Sequence, residues 1–229
     1  RPGARGWGRW PVSEIQLVWQ PIVRLADRQA IGWEALLRHP DMPTQDYIRR
    51  ATEQGRALAV DAAVLTALAQ GPVPDEGLLF INLLPSTIQV LAEGHRILDL
   101  PDALVRRVVW ELSEEPGWPH DARSAVVIRR GLPGGRLALD DVGAGWRDLE
   151  RMLLVRPDYI KLARTLVADI GRDPARQAVV RGLLATAVVV GAVVIAEGVE
   201  TEEEAETVQR LGVPLAQGFL FSPVDNHTL

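Results

Sequence analysis

Short apolar segments rich in β-branched residues alternate along the chain with longer segments in which apolar residues recur at helical spacing. The short segments predict eight strands, at residues 15–23, 31–37, 78–84, 108–112, 136–142, 159–162, 193–196 and 215–221. The longer segments, including residues 46–70 and 176–190, predict helices between most of the strands. Strands that alternate with helices form parallel crossovers, and eight such units predict an α/β fold, a TIM-like (β/α)₈ barrel.

The first two predicted strands differ from the others because only residues 24–30 separate them. A connection this short can close a hairpin, with Asp27 in its turn, but cannot hold a crossover helix. The barrel is therefore predicted to contain one antiparallel strand, the first. Farther along, Thr201 and Glu204 have the spacing of a capping box, which predicts the start of a helix that ends at Gly212 and Pro214.

The ends of the chain and its most apolar segment indicate the domain organisation. Residues 1–11 are rich in glycine, proline and arginine, which indicates a linker remnant from an upstream region, so residues 12–229 are expected to form a single barrel domain. In a longer protein, that linker would lead from a sensory or regulatory domain. The apolar segment 183–196 is too short to span a membrane and contains Gly191, so we expect a buried helix end followed by a buried strand. No secretory signal is visible, which favours a cytoplasmic location whether or not the full-length parent is tethered to a membrane.

The composition excludes several classes of function. The chain has 229 residues, a formal net charge of −5 and no cysteine, so it has no disulfide framework, thiol nucleophile or zinc–thiolate site. A mildly acidic chain also lacks the positive field of a protein that binds nucleic acids without sequence preference, so no nucleic-acid polymer is expected as a partner.

Polar and charged residues lie at or near the ends of seven consecutive predicted strands. In chain order they are Glu34, Arg38, Asn82, Glu111, Asp140, Asp141, Lys161, Glu197 and Gln217. In a (β/α)₈ barrel the carboxyl ends of the strands meet at one mouth, and active sites lie there. A single strand-end carboxylate is common in any fold, whereas polar groups from seven strands at one mouth predict an active site.

The carboxylates of this mouth would repel one another, so either several of them are protonated or the cluster binds cations. Oxygen ligands, including the amide carbonyl of Asn82, favour Mg²⁺ or Mn²⁺ over zinc. Asp140 and Asp141 would face opposite sides of a regular strand. For both to bind cations, the strand must end there, and Gly143 permits such a turn. One aspartate could then bridge two metal ions, as two-metal phosphodiester hydrolysis requires.

Two basic residues of the mouth suit water and phosphate. Lys161 is the single lysine among 25 basic residues, and a compact ammonium with a readily shifted pKa fits a buried site that orients water or phosphate. Arg38 lies on the same strand face as Glu34 and suits bidentate phosphate binding, although a salt bridge to a neighbouring acid is an alternative role.

The motifs at the strand ends together resemble the EAL domain family. They are Gln20-Pro-Ile-Val, Glu34-Ala-Leu-Leu-Arg38, Ile81-Asn82-Leu, Glu111-Leu-Ser-Glu114, Asp140-Asp141-Val-Gly-Ala-Gly145, Lys161, Ala196-Glu197-Gly-Val-Glu200-Thr201 and Gln217-Gly-Phe. The resemblance extends from Ile15 to Pro223, with the motifs in the family's order. It implies a cyclic di-GMP phosphodiesterase that opens the cyclic dinucleotide to linear pGpG with two Mg²⁺ or Mn²⁺ ions per active site.

The resemblance also implies which residues bind the metal ions. Glu34, Asn82, Glu111 and Asp140 would bind one ion, and Asp140 and Asp141 would bind the second. Glu34 would be a catalytic residue through the ion that it holds.

The remaining site residues take their implied roles from the same resemblance. Lys161 would position the attacking water, and Glu197 would be a metal-associated or base-like catalytic carboxylate. The substrate-binding residues would be Gln20, Leu36, Arg38 and Gln217. Glu114 would anchor the turn after Asp141, and that turn, near Trp146, would help to form a homodimer.

Two departures from the family pattern leave alternatives open. The turn usually reads DFGTGYSSL, but residues 141–149 here read DVGAGWRDL, and Ala163 stands where the family has a carboxylate two residues after Lys161. The first alternative to the enzyme is therefore a catalytically weak or inactive receptor for cyclic di-GMP. A more distant alternative is a barrel hydrolase or lyase that uses a divalent metal on another phosphoester.

Overall fold

The computed structural model describes residues 15–93, 100–112, 122–144 and 148–222, and its eight strands close into one barrel in sequence order. The strands are β1 (Gln16–Arg24), β2 (Ala30–Arg38), β3 (Leu78–Leu83), β4 (Val108–Leu112), β5 (Leu137–Val142), β6 (Tyr159–Leu162), β7 (Val193–Ala196) and β8 (Leu215–Ala216). Strand β1 pairs antiparallel with β2 and β8, and the other neighbouring strands pair in parallel. The predicted barrel with an antiparallel first strand is confirmed, and the predicted linker at residues 1–11 lies outside the described residues.

Helices connect most of the strands. They are α1 (Thr44–Glu53), α2 (Ala57–Gln70), α3 (Pro85–Ala92), α4 (Asp102–Val105), α5 (Ala122–Gly131), α6 (Asp148–Val155), α7 (Arg164–Val167), α8 (Pro174–Val190) and α9 (Glu202–Leu211), with a 3₁₀ turn at Ile170–Arg172. The helical segment predicted at residues 46–70 forms two helices, because Gly55, with a φ of 67°, separates α1 from α2. Across the part of the chain that is described, no helix is long and apolar enough to cross a membrane.

Strand β8 is shorter than the predicted segment 215–221. The chain leaves the barrel wall after Ala216 and turns at Gly218, where an added Cβ would lie 2.1 Å from the carbonyl oxygen of Val199. The N–H of Leu220 donates to that same carbonyl at 3.1 Å. The apolar residues after Gly218 therefore pack beside the loop that follows β7, and they do not extend the sheet.

The apolar segment 183–196 forms the end of α8 and all of β7, and only part of it is buried. Leu183 and Ala187 face the core, whereas Val188 and Val189 are 79% and 83% exposed. The expectation of a buried helix end is thus correct for one face of α8 only.

An apolar layer inside the barrel supports the mouth. It consists of Ile22, Phe80, Val109, Ala138, Ile195 and Leu215. Because side chains alternate along a strand, the residue two positions closer to the mouth also points inward. On these strands that residue is polar: Gln20, Asn82, Glu111, Asp140, Glu197 and Gln217. The strand period therefore places a polar layer directly above an apolar one.

The predicted capping box at the start of α9 is confirmed. The Thr201 side chain accepts from the N–H of Glu204, whose carboxylate accepts from the N–H of Thr201. The same carboxylate accepts from the N–H groups of Glu200 at 2.9 Å and Asp169 at 3.0 Å, so it joins the loops after β7 and α7. Burial raises the pKa of Glu204, but the backbone donors outweigh burial and lower the pKa below its usual value.

We expect Glu204→Gln to lower the free energy of unfolding by about 1–2 kcal/mol at neutral pH, because a neutral amide is a weaker acceptor for the three N–H donors. A lowered folded-state pKa stabilises the fold above the unfolded value of about 4.3, and this contribution is lost as the pH falls through the folded pKa. The difference in stability between the two proteins should therefore shrink in acid. Urea unfolding across the acidic and neutral range measures it.

The control for this change is Glu206→Gln, on the same helix, because the Glu206 side chain is 67% exposed and lies 3.7 Å from Arg210. Equal losses of stability in the two variants would contradict the role given to Glu204.

Candidate active site at the mouth of the barrel

The side chain of Lys161 lies at the centre of the mouth. It is buried, and its Nζ lies 2.7 Å from Glu111, 2.8 Å from Glu197, 3.0 Å from Asp140 and 3.3 Å from Glu34. These carboxylates come from β2, β4 and β5 and from the residue after β7. The barrel therefore brings together five of the residues predicted from the strand ends.

Asn82 on β3 lies between two of these carboxylates. Its Nδ2 donates to Glu111 Oε2 at 2.7 Å and to Glu34 Oε1 at 3.0 Å. The parallel register places Asn82 directly beside Glu111 on the neighbouring strand, so the strand pairing produces this contact. Because the amide nitrogen donates to the two carboxylates, the carbonyl oxygen Oδ1 is the atom of Asn82 that can bind a cation.

Gln217 is the residue after β8, and it contacts the carboxylate oxygen of Glu34 that Asn82 does not contact. Its Nε2 donates to Gln20 Oε1 at 2.7 Å and also to Glu34 Oε2. Gln20 and Glu34 are paired in the β1–β2 hairpin, so the antiparallel first strand brings Gln20 into the site. Glu34 thus contacts Asn82, Gln217 and Lys161 at once.

Lys161 and Glu34 stabilise each other's charged forms. Burial lowers the pKa of Lys161, but the surrounding carboxylates outweigh burial and raise it well above its usual value, so the ammonium stays charged. Burial raises the pKa of Glu34, but the charge of Lys161 and the amide of Gln217 lower it below its usual value.

The other two glutamates show that negative charge is in excess. Burial, followed by repulsion from Glu34, raises the pKa of Glu111 well above its usual value despite the nearby Lys161. Burial, with the charges of Asp140 and Glu34, raises the pKa of Glu197 to about 8, against the attraction of Lys161. One ammonium does not balance four carboxylates.

A divalent cation fits this set of donors. Carboxylate and amide oxygens are the ligands that Mg²⁺ and Mn²⁺ prefer, and a divalent ion would supply the missing positive charge. Among the described residues, no group of three acidic or histidine side chains forms a ready-made metal site. The carboxylates converge instead on Lys161, so metal binding would require the Lys161 ammonium to give up some of these contacts.

Asp141 is exposed, unlike the carboxylates that contact Lys161. Its φ is 54°, and the pairing of β5 with β6 is irregular between Leu139 and Val142. Strand β5 ends at Val142, as predicted from the segment 136–142, so both aspartates still lie within the strand. The irregularity in the strand, and not its end, turns the second aspartate away from regular alternation.

Leu36 and Arg38 follow Glu34 on the same face of β2, and both are half-buried. Arg38 Nη1 donates to the carbonyl of Leu37 at 2.9 Å. Burial lowers the pKa of Arg38 and the charge of Glu34 opposes this, but a guanidinium remains charged at any physiological pH. The two predicted dimer and anchor residues, Glu114 and Trp146, lie outside the described residues.

Asp61, a buried carboxylate on α2, was not among the residues predicted from the sequence. Its Oδ2 accepts from the N–H of Leu84 at 2.9 Å, two residues after Asn82, so α2 holds the end of β3 in place. Asp61 occurs at helical spacing with the buried Val64 and Leu68. A carboxylate at such a position requires a buried partner, which is the signal that could have identified it.

The sequence profile of the EAL domain matches residues 12–224 of this chain. The chain belongs to the EAL domain family. The cyclic di-GMP phosphodiesterase RocR of Pseudomonas aeruginosa is 36% identical over 231 residues, which cover 92% of the chain and 57% of RocR. A signaling protein of Caulobacter vibrioides is 30% identical over 231 residues, covering 95% of the chain and 29% of that protein. The chain thus spans less than two thirds of either relative.

Solved EAL structures have the same fold. BlrP1 of Klebsiella pneumoniae, in a complex with manganese and cyclic di-GMP, aligns with a TM-score of 0.71 and 29% identity over 93% of the chain and 56% of BlrP1. The PaMucR phosphodiesterase in complex with c-di-GMP aligns with a TM-score of 0.75 over 91% of the chain and 96% of the other, at 24% identity. The second likeness concerns the fold alone.

The EAL domain of this chain departs from the family motif at Ala163, whose side chain is buried. The N–H of Ala163 donates to the carbonyl of Val142 at 2.9 Å, so the backbone contact between the ends of β5 and β6 is present without the carboxylate. The substitution removes charge from this region of the mouth and leaves the strand pairing intact.

Proposed function

We propose that this EAL domain hydrolyses cyclic di-GMP to linear pGpG with two divalent ions, Mg²⁺ or Mn²⁺, in its active site. The observation that carries the proposal is the convergence of four buried or half-buried carboxylates and one amide around the Lys161 ammonium. Two-metal phosphodiester hydrolysis needs such a set of hard oxygen ligands. Membership of the EAL family, together with the activity for which RocR is named, supports cyclic di-GMP as the substrate.

The metal ligands are proposed from the same arrangement. Glu34, Asn82, Glu111 and Asp140 would hold one ion, and Asp140 and Asp141 would hold the second. Ions bound there would lower the pKa of a bound water and neutralise charge on the phosphate.

The chain's other groups act on water and substrate. Lys161 would orient the attacking water through its ammonium, and Glu197 would be the base-like carboxylate beside it. The water oxygen bonds to phosphorus, the bond from phosphorus to the 3′ oxygen breaks, and that oxygen takes up a proton. Arg38 would bind a phosphate oxygen pair, and Gln217 would keep Glu34 in position. Gln20 and Leu36 would line the pocket for the dinucleotide.

The test is incubation of the purified chain with cyclic di-GMP and Mg²⁺ or Mn²⁺, followed by chromatographic separation of the nucleotides. We expect a peak of linear pGpG that a chelator suppresses. Nucleotide that is bound but remains intact would support the second candidate, a catalytically weak or inactive receptor. Ala163 and the changed residues 142–148 are the observations that favour the receptor.

We propose that the domain forms a homodimer through the turn near Trp146 and the adjoining helices α5 and α6. Leu149 and Leu153 on α6 are 54% and 61% exposed, and Val126 on α5 is 49% exposed. Helices α5 and α6 pack against each other, so these apolar side chains belong to one side of the barrel. Exposed apolar patches of this kind are typical of protein interfaces.

We expect sedimentation at tens of micromolar to give a dimeric mass, and Leu153→Glu to give a monomer, because a charge would be buried in the interface. Val189→Glu, on the outer face of α8 and 83% exposed in the unmodified chain, is the control and should remain dimeric. A monomeric wild-type chain would contradict the proposal.

We also propose that the domain works in the cytoplasm, joined to an upstream sensory or regulatory domain. The short share of its relatives that the chain spans, 57% of RocR and 29% of the Caulobacter protein, supports a longer parent protein.

A further inference from the structure

The turn that carries the two adjacent aspartates has an irregular backbone. Asp141 has a φ of 54°, in the left-handed region that most residues with a side chain avoid and that aspartate adopts more readily than most of them. Gly143 has a φ of 104°, and an added Cβ there would overlap the side chain of Leu166. Position 143 therefore has no side chain that could anchor the turn, so only its backbone groups can form stabilising hydrogen bonds.

The carboxylate of Asp148 contacts the backbone of this turn. Asp148 is the first residue of α6 and is buried, and its Oδ2 accepts from the N–H of Gly143 at 2.6 Å. The N–H of Ala144 donates to the carbonyl of Asp141 at 3.2 Å, which closes the turn on itself. The carboxylate therefore binds the backbone two residues after Asp141.

Arg151 extends the connection to the neighbouring strand. Its Nη1 lies 3.6 Å from Asp148 Oδ1, and its Nη2 donates to the carbonyl of Leu112 at 2.8 Å. Leu112 is the residue after Glu111, and both side chains of the Asp148–Arg151 pair are almost fully buried, at 5% and 11% exposed. The pair therefore joins the end of β5 to the end of β4, and each end carries proposed metal ligands.

A helix-capping aspartate elsewhere in the chain offers a comparison. Asp173 before α8 has the same spacing to an arginine, Arg176, but its Oδ1 accepts from the N–H groups of Ala175 and Arg176 in its own helix. Asp148 binds an N–H group five residues earlier, in the turn. The Asp173–Arg176 pair caps a helix, and the Asp148–Arg151 pair links the active-site turn to α6 and to the end of β4.

We propose that Asp148 and Arg151 are positioning residues, which hold the Asp140–Asp141 turn and the end of β4 at the spacing that the two metal ions need. The inference rests on the proposed metal-dependent function. The positioning role also explains why aspartate stands at position 148 of the changed turn. Its carboxylate is buried there, and the charge of Arg151 balances it.

The test compares Asp148→Ala, Asp148→Asn and Asp173→Ala in the full chain. Calorimetric titration with Mn²⁺, without nucleotide, measures metal affinity, and steady-state kinetics separates kcat from KM for cyclic di-GMP. We expect Asp148→Ala to weaken Mn²⁺ binding and lower kcat by on the order of 10- to 100-fold, with little change in KM. Asp148→Asn keeps the acceptor oxygen and should recover part of both losses. Asp173→Ala should lower the melting temperature without changing Mn²⁺ affinity.

Mn²⁺ affinity of Asp148→Asn and Asp148→Ala close to that of the wild type would overturn the inference, even with cyclic di-GMP hydrolysis intact. If Asp148→Ala does not fold, the comparison of Asp148→Asn with the wild type decides. A wild-type chain that binds Mn²⁺ but does not hydrolyse cyclic di-GMP would contradict the proposed function and still test the positioning role. A wild-type chain that binds no Mn²⁺ would overturn both.

Discussion

Glu34→Ala is expected to lower cyclic di-GMP hydrolysis by at least about a thousandfold while the domain remains folded. Glu34 contacts Asn82, Gln217 and Lys161, and it is a proposed ligand of the first metal ion. Loss of this carboxylate removes a metal ligand and leaves the buried amide of Gln217 without one acceptor. Initial rates at saturating Mn²⁺, with circular dichroism on the same samples, measure the two effects separately.

The matched control is Glu53→Ala, since Glu53 lies on the surface of α1 with a side chain that is 63% exposed. That variant should hydrolyse the substrate at the wild-type rate. Full activity in Glu34→Ala would show that this mouth of the barrel is not the catalytic site.

Lys161→Met is expected to abolish hydrolysis and to lower the free energy of unfolding of the metal-free domain by about 3–5 kcal/mol. Methionine has a similar length but lacks the charge that Glu34, Glu111, Asp140 and Glu197 surround. Without that charge, the carboxylates repel one another in a buried site. Mn²⁺ should therefore raise the melting temperature of the variant more than that of the wild type, because the added cation replaces the missing positive charge.

Thermal unfolding in chelator and in Mn²⁺ measures both parts of this expectation. Arg130→Met, at an exposed position on α5, is the control for loss of one positive charge. A variant of Lys161 that is as stable as the wild type in chelator would contradict the electrostatic description of the mouth, as would a smaller stabilisation by Mn²⁺.

Much of the fold could be predicted because each strand carries its own signal. Because side chains alternate along a strand, Phe80 lies below Asn82 and Val109 lies below Glu111. The same strand segments therefore predict both the apolar layer and the polar residues of the mouth. The length of the first connection was enough to predict the antiparallel strand. The extent of β8 was not predictable, because the apolar residues after Gly218 pack on the loop near Val199, and only the folded structure brings that loop beside them.

The composition of the site could be predicted, but not its internal contacts. Strand-end placement identified Lys161 and its carboxylates, yet the contact of one ammonium with side chains from several strands depends on the register around the whole barrel. Likewise, Asp148 and Arg151 have the spacing of an ordinary surface pair on a helix. Their burial and their contacts with Gly143 and Leu112 emerge only when β4 and β5 lie side by side.

The measurement that tests the central claim most directly is mass spectrometry of the nucleotides formed from cyclic di-GMP in H₂¹⁸O with Mn²⁺ present. Hydrolysis at the proposed site predicts linear pGpG with one heavy oxygen on its new 5′-phosphate, and no product when a chelator is present. Intact cyclic di-GMP in a sample that binds the nucleotide and Mn²⁺, or product that forms equally well in chelator, would contradict a metal-dependent phosphodiesterase.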